Sequence, residues 1–436
     1  MNRDHRAVLS QARRYTVAEA TKAVSTSSAS APYDVDAVRK RFPALRRTEA
    51  GMPVAFLDGP GGSQAADTAI EAMAGYLLKG SANVHGVFGT SVETDALILR
   101  ARASMADLLG GRPDEVAFGA NMTTLNYAIS RAMAREWREG DEVVVTELDH
   151  RANVDPWVSA IEDKGGQVRW IRVDRERLTL ETSGLSKILG PRTKVVAIGL
   201  ASNAVGTIND VKKIARAAHE MGAKVVVDAV HAAPHIFIDR DDIGADVILC
   251  SAYKFFGPHV GIASIRRDLF DSLETYKVLP QSLDRPDKIE TGTLNHEGIA
   301  GVEGAVQFIA SLGEGQSTRE KVRSSMQAIE SYEDSLARWV RERLRAIPFV
   351  RLFAAPDEVR KTPTVAFRVK GRTPQEVCRH ALKRGVYIAS GDFYATTLAQ
   401  VLGIGEKGSW IRAGLAPYTT REEVERLVES VEEIAK

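Results

Sequence analysis

The stretch 224–258 opens Lys-Val-Val-Val-Asp-Ala-Val-His (224–231) and closes Val-Ile-Leu-Cys-Ser-Ala-Tyr-Lys-Phe-Phe-Gly-Pro (247–258). Each part begins as a short, unbroken apolar run rich in branched residues and ends on polar ones. Runs that do not alternate belong to strands covered on both faces, as in a parallel sheet flanked by helices. Ligands of such sheets bind beyond the carboxyl ends of the strands. Asp228 and, about 26 residues later, Lys254 both fall at such ends. Alone, a strand-end aspartate is commonly a cap or an ion-pair partner, and a lone lysine a solvated charge. Together they match what pyridoxal phosphate (PLP) needs. The amine forms a Schiff base with the aldehyde, and the carboxylate pairs with the pyridine nitrogen.

Working outward, further strand-like runs occur at 115–119, 142–147, 168–173, 194–200 and 261–266. Amphipathic helical spacing at 67–78, 93–109 and 208–221 alternates with them. The predicted fold class is α/β, a large domain built on a mostly parallel seven-stranded sheet. Beyond about residue 280 the pattern changes to a smaller α+β region, with a long helix at 316–344, strands at 362–369, 386–389 and 410–415, and a last helix from 420. The expected division is a disordered polar tail (1–31), an N-terminal segment of the small domain (32–60), the large PLP-binding domain (61–310) and the C-terminal small domain (311–436).

Composition narrows the function classes. A net charge of +1 gives no footprint for nucleic acid or an anionic membrane. No apolar run approaches the ~20 residues that span a bilayer, and the N-terminus carries no signal-peptide segment, so a cytoplasmic protein is expected. Cys250 and Cys378 are the two cysteines, too few for a disulfide framework or a cysteine zinc site.

Other segments fit the same cofactor. His150 lies in Asp-His-Arg-Ala-Asn-Val-Asp-Pro-Trp (149–157), after a strand, where an imidazole would be placed to stack on a pyridine face. Gly-Ala-Asn-Met-Thr (119–123) joins a strand to a helix, so free N–H groups and the helix dipole suit a phosphate. Asn203 follows another strand, in Ala-Ser-Asn-Ala-Val-Gly-Thr (201–207). With Phe-Leu-Asp (56–58), Ala-Asn-Val-His (82–85) and Glu-Thr-Gly-Thr (290–293), these segments resemble, in order and spacing, the class V aminotransferase-fold enzymes of the cysteine desulfurase and selenocysteine lyase group. The resemblance runs from about residue 55 to the C-terminus.

The resemblance implies PLP-dependent transferase fold type I and a role for each matching position. Lys254 would carry PLP and shuttle protons, Asp228 hold its pyridine nitrogen, and His150 stack on its ring. Asn203 and His231 would lie near the phenolic oxygen. Ser251, Tyr253 and the backbone at Asn121 and Met122 would hold the phosphate. Thr293 would reach the phosphate of the other subunit of a homodimer. Arg412 would clamp the substrate carboxylate bidentately, with His85 and Asp392 also near the substrate.

The desulfurase pattern breaks at one place. Its persulfide-forming cysteine sits in a loop after a C-terminal strand, and Tyr394 occupies that position in Ile-Ala-Ser-Gly-Asp-Phe-Tyr-Ala-Thr (388–396). A phenol forms no persulfide. The expected activity is therefore PLP-dependent C–S cleavage by β-elimination from cysteine or a cysteine S-conjugate. There Tyr394 either protonates the leaving sulfur or shapes the pocket. Transamination, epimerisation or decarboxylation coupled to deamination are alternatives that the same fold hosts. A persulfide-forming desulfurase and a non-catalytic sulfur-transfer partner are further ones.

Overall fold

The computed structural model describes residues 33–49, 51–404 and 409–436. The expected tail, 1–31, lies outside the described residues. Residues Asp34–Lys436 pack as one compact unit, and two hydrophobic cores within it position the site.

The principal elements, in chain order, are α1 (Asp67–Lys79), α2 (Gly89–Leu109), β1 (Val116–Gly119), α3 (Met122–Met133), β2 (Glu142–Thr146), α4 (Asp155–Glu162), β3 (Gln167–Ile171), β4 (Thr193–Gly199), α5 (Val211–Glu220), β5 (Lys224–Asp228), β6 (Val247–Ser251), β7 (Gly261–Ile265), α6 (His296–Ser311), α7 (Thr318–Arg345), β8 (Val350–Phe353), β9 (Thr364–Val369), α8 (Pro374–Leu382), β10 (Ala389–Gly391), β11 (Trp410–Gly414) and α9 (Arg421–Ala435).

Seven strands form the first sheet in the order β1-β7-β6-β5-β4-β2-β3. All pairs are parallel except the two that β7 makes. The four-stranded sheet β8-β9-β11-β10 is antiparallel throughout. Its neighbour strand Val386–Tyr387 pairs instead with Ala55–Phe56, which ties the N-terminal segment to the C-terminal region.

The branched runs that signal the strands are also what buries them. Val143, Val145, Val195, Ala197 and Val226 share one core with Trp157 of α4. Each fully buried valine among them contributes about 1.5–3 kcal/mol. Leu336 and Val340 of α7 meet Val365 and Phe367 of β9 in the second core. Helix starts follow the cap rules. Ser317/Glu320, Thr373/Glu376 and Thr420/Glu423 form capping boxes at α7, α8 and α9.

Periodicity did not flag α6, because it is apolar nearly all round and reads as no amphipathic stripe. It crosses α1 closely at Gly304, where a Cβ would lie 2.4 Å from the Thr68 carbonyl oxygen. Several predicted strand ends also shift. The run expected at 386–389 splits into Val386–Tyr387 and β10, the run expected at 168–173 into β3 and Val173–Asp174, and the strand expected at 362–369 begins at Thr364, because the Thr362 N–H donates to the Gly206 carbonyl outside the sheet.

Candidate active site

A cleft of about 770 Å³ opens at the carboxyl ends of β2, β4, β5 and β6. Asp228 ends β5, and its Oδ1 accepts the Val230 N–H at 2.8 Å. Ser251 ends β6, and its Oγ accepts the Met122 N–H at 3.0 Å, at the first residue of α3. Asn121 caps that helix, accepting the Thr124 N–H at 2.9 Å. Gly261 lets β7 approach this turn, since a Cβ there would lie 2.2 Å from the Asn121 backbone. Lys254 lies in the single helical turn after β6, and its Nζ donates to the Pro60 carbonyl. The His150 Nδ1 accepts the Ala152 N–H at 3.0 Å, which turns the ring toward the cleft.

The opposite wall comes from the C-terminal sheet. Arg412 projects from the middle of β11 and is buried; its Nη1 donates to the Asn203 carbonyl at 2.7 Å. The Phe393 ring covers its guanidinium, 3.7 Å from centroid to Cζ. The Tyr394 ring stacks on His150 at 5.2 Å between centroids and 21° between planes. Phe393 and Tyr394 both have left-handed backbone, φ 55° and 59°, a conformation that non-glycine residues hold only when their surroundings enforce it. Here Asn203 Nδ2 donates to the Phe393 carbonyl and Arg151 N–H to the Tyr394 carbonyl, both at 2.8 Å.

Burial dominates the electrostatics. It lowers the Lys254 amine to about 7, with the Arg412 charge adding and Asp228 opposing. It raises Asp228 to about 6 against the Val230 N–H and Lys254. It lowers His150 to about 4, reinforced by Lys254 and Arg412, and Arg412 to about 9 against Asp58. His231 falls well below the usual imidazole range for the same reason, and its Nε2 sits 2.8 Å and 3.0 Å from the Thr364 and Thr362 hydroxyls.

The structure brings Lys254, Asp228, His150, Asn121, Met122, Asn203, His231, Ser251, Tyr253, Tyr394 and Arg412 to the walls of this one cleft. Three residues expected at the site line none of it within the chain. His85 is on an exposed loop, its side chain 80% exposed and its Nδ1 3.2 Å from Asp95. Thr293 is exposed. Asp392 holds its own turn, accepting the Tyr394 N–H at 3.1 Å and the Thr396 hydroxyl at 2.7 Å.

Asp149, Phe393 and His259 line the cleft without having been singled out. Asp149 accepts the Gly199 N–H at 2.7 Å, and burial raises it to about 8. Its strand-end position after β2, like that of Asp228 after β5, was the available signal. His259 stacks on Tyr253 at 4.8 Å. Neither cysteine lines the cleft.

These residues fit PLP. An amine held by a single backbone carbonyl, a buried carboxylate facing it and a helix start with a serine hydroxyl match the aldehyde, pyridine nitrogen and phosphate. The Asn203 Oδ1 is buried and unpartnered at the same cleft.

Fold and cleft together define a PLP-dependent enzyme of fold type I. The chain matches the aminotransferase class-V family over residues 55–427, and it belongs to that family. Among curated proteins, a cysteine desulfurase of Enterobacter sp. (strain 638) is 29% identical over 418 residues, covering 92% of this chain and 98% of that protein. An uncharacterized protein of Mycobacterium tuberculosis (strain CDC 1551 / Oshkosh) is 29% identical over 403 residues, covering 92% and 98%. Among solved structures, the apo cysteine desulfurase of Thermococcus onnurineus NA1 superposes with a TM-score of 0.82 at 26% identity, covering 92% of this chain and 98% of that one. Among the described residues, no helix is long and apolar enough to cross a membrane.

Proposed function

We propose that this protein cleaves the Cβ–S bond of cysteine or a cysteine S-conjugate by elimination, without a protein-bound persulfide. The observation that carries the proposal is a cleft equipped for PLP and a carboxylate but lined by no thiol. Cys250 is fully buried in β6, where burial and the Asp228 charge push its thiol up. Cys378 is half-buried in α8, its thiol also raised by burial. Tyr394 stands where the desulfurase pattern carries its nucleophile.

PLP, when bound, supplies an electron sink for charge developing at the substrate α-carbon. Asp228 is positioned to hold the pyridine nitrogen, Ser251 and the start of α3 the phosphate, and His150 the ring face. Arg412 takes the substrate carboxylate on the guanidinium edge that Asn203 leaves free. Lys254 Nζ, at about 7, accepts the Cα proton near neutral pH. With the thiolate leaving Cβ and water completing the balance, a cysteine S-conjugate yields a thiol, pyruvate and ammonia.

The similarity to cysteine desulfurases favours a second reading, persulfide-forming desulfurisation. One experiment separates the readings: incubate the PLP-loaded protein with cysteine and a panel of S-conjugates. Pyruvate with free thiol supports elimination. Alanine, with sulfur bound to Cys378 or Cys250, sinks it in favour of the desulfurase, and a sulfur-retaining keto acid sinks it in favour of transamination.

The proposal includes a homodimer with shared sites, supported by exposed Leu78, Val87, Phe88 and Leu279 and by a Thr293 free of its own cleft. Monomeric protein with full activity would remove this part. Unpaired thiols support a reducing, cytoplasmic setting.

A further inference from the structure

The charged groups of the cleft have tasks in the reading above: Lys254, Asp228 and Arg412 in chemistry and binding, and Asp149 on the Gly199 N–H. Thr123 and Thr124 belong to the helix start assigned to the phosphate, and His259 stacks on Tyr253. The rest of the lining includes Ala152, Ala201, Val230, Phe393 and Tyr394, which carry no charge and, apart from the Tyr394 phenol, no side-chain hydrogen-bonding group.

The Tyr394 ring is unusual among them. It is 67% exposed, yet its backbone is fixed. Arg151 N–H holds its carbonyl at 2.8 Å, Asp392 Oδ1 holds its N–H at 3.1 Å, and Arg151 Nη1 donates to the Thr397 hydroxyl in the short helix that follows, at 3.0 Å. A large aromatic surface is thus held at the cleft with one face on His150 and much of the rest open. Preorganised rings contribute to binding because little conformational freedom is lost when they are covered. Phe393, beside it, is occupied differently: its ring lies on the Arg412 guanidinium face and leaves the guanidinium edge, where a carboxylate docks.

We propose that the 393–394 turn selects the substrate. Tyr394 is a platform for a flat, apolar substituent on the substrate sulfur, so aryl and arylalkyl cysteine S-conjugates are preferred. Phe393 is a positioning residue that sets the plane of Arg412. The inference rests on the elimination reading and names its substrate class.

The test uses the PLP-loaded full-length protein with S-benzylcysteine and S-methylcysteine. Binding of their α-methyl analogues, which have no Cα proton to lose, is followed by cofactor absorbance. In the native protein the S-benzyl analogue binds at least about tenfold more tightly, the scale of one aromatic contact. Tyr394→Leu collapses that ratio toward one, and Tyr394→Phe keeps it. Phe393→Leu weakens both analogues by a similar factor and leaves the ratio in place. Equal binding of the two analogues to the native protein, or a ratio unchanged in Tyr394→Leu, overturns the proposal. Turnover is scored separately as pyruvate. If neither substrate yields pyruvate, the elimination reading fails, and the binding ratio still decides whether Tyr394 is the platform.

Discussion

Asp228, His150 and Lys254 stand on turns that leave the parallel strands of a sheet buried on both faces, whereas Phe393 and Tyr394 stand on a turn that leaves β10, an edge strand of three residues. The first wall is held by the core itself, and its groups are placed by strand ends. The second is held by Asn203 and Arg151, which donate to its backbone carbonyls, and by the Asp392 carboxylate, which accepts the Tyr394 N–H. One wall supplies the chemistry that any PLP enzyme of this fold needs. The other, on the reading proposed above, governs what is presented to it.

Substitutions that separate the walls differ most at Lys254. Lys254→Ala is expected to lower kcat by about 10⁴-fold, the upper end of general acid–base contributions, with circular dichroism unchanged and the borohydride-reducible link to PLP lost. A borohydride-labelled peptide in that variant would place the Schiff base elsewhere. Asp228→Ala follows at about 10²–10³-fold in kcat, the cost of removing one preorganised electrostatic partner; unchanged kcat would take Asp228 out of the site. On the second wall the effect moves to binding. Arg412→Lys keeps the charge and loses the bidentate fork, so KM should rise about 10–100-fold with a smaller change in kcat. An equal loss in kcat alone would mean that Arg412 acts on the reaction rather than on the carboxylate.

The pH profile tests Lys254 without a mutation. The amine works as a base when neutral, and burial lowers it to about 7. The rate should therefore rise about tenfold per pH unit below 7 and level off above it. A profile already flat at pH 6 would show that another group takes the proton. The smallest expected effect comes from replacing both cysteines. Cys250→Ala with Cys378→Ala should leave turnover nearly intact, with a modest loss of stability on thermal melting from the cavity at Cys250. Loss of activity together with a sulfur adduct on the native protein would restore a thiol mechanism.

How much could be read in the sequence divides along the same line. The strands of the large sheet were legible because a covered parallel strand is a continuous apolar run, and strand ends then locate Asp228 and Lys254, while Ser251 came from the family resemblance. Helix α6 was not, because a helix buried all round loses its stripe. The Phe393–Tyr394 turn was not either. Its shape comes from two left-handed residues that carry no glycine or asparagine signal, held by partners about 190 and 240 positions away in the chain. His85 and Thr293 carried motif signals but lie off the cleft of their own chain.

The anchoring of that turn through main-chain atoms has a practical consequence. Asn203 and Arg151 grip carbonyl groups, which every amino acid possesses, so the backbone path of the turn is held without calling on the side chains at 393 and 394. A two-codon library at these positions should keep its soluble yield for most members, with the poorest yields from β-branched residues, which tolerate left-handed backbone least. On the elimination reading proposed above, position 394 is a natural starting point for laboratory evolution toward new thioethers.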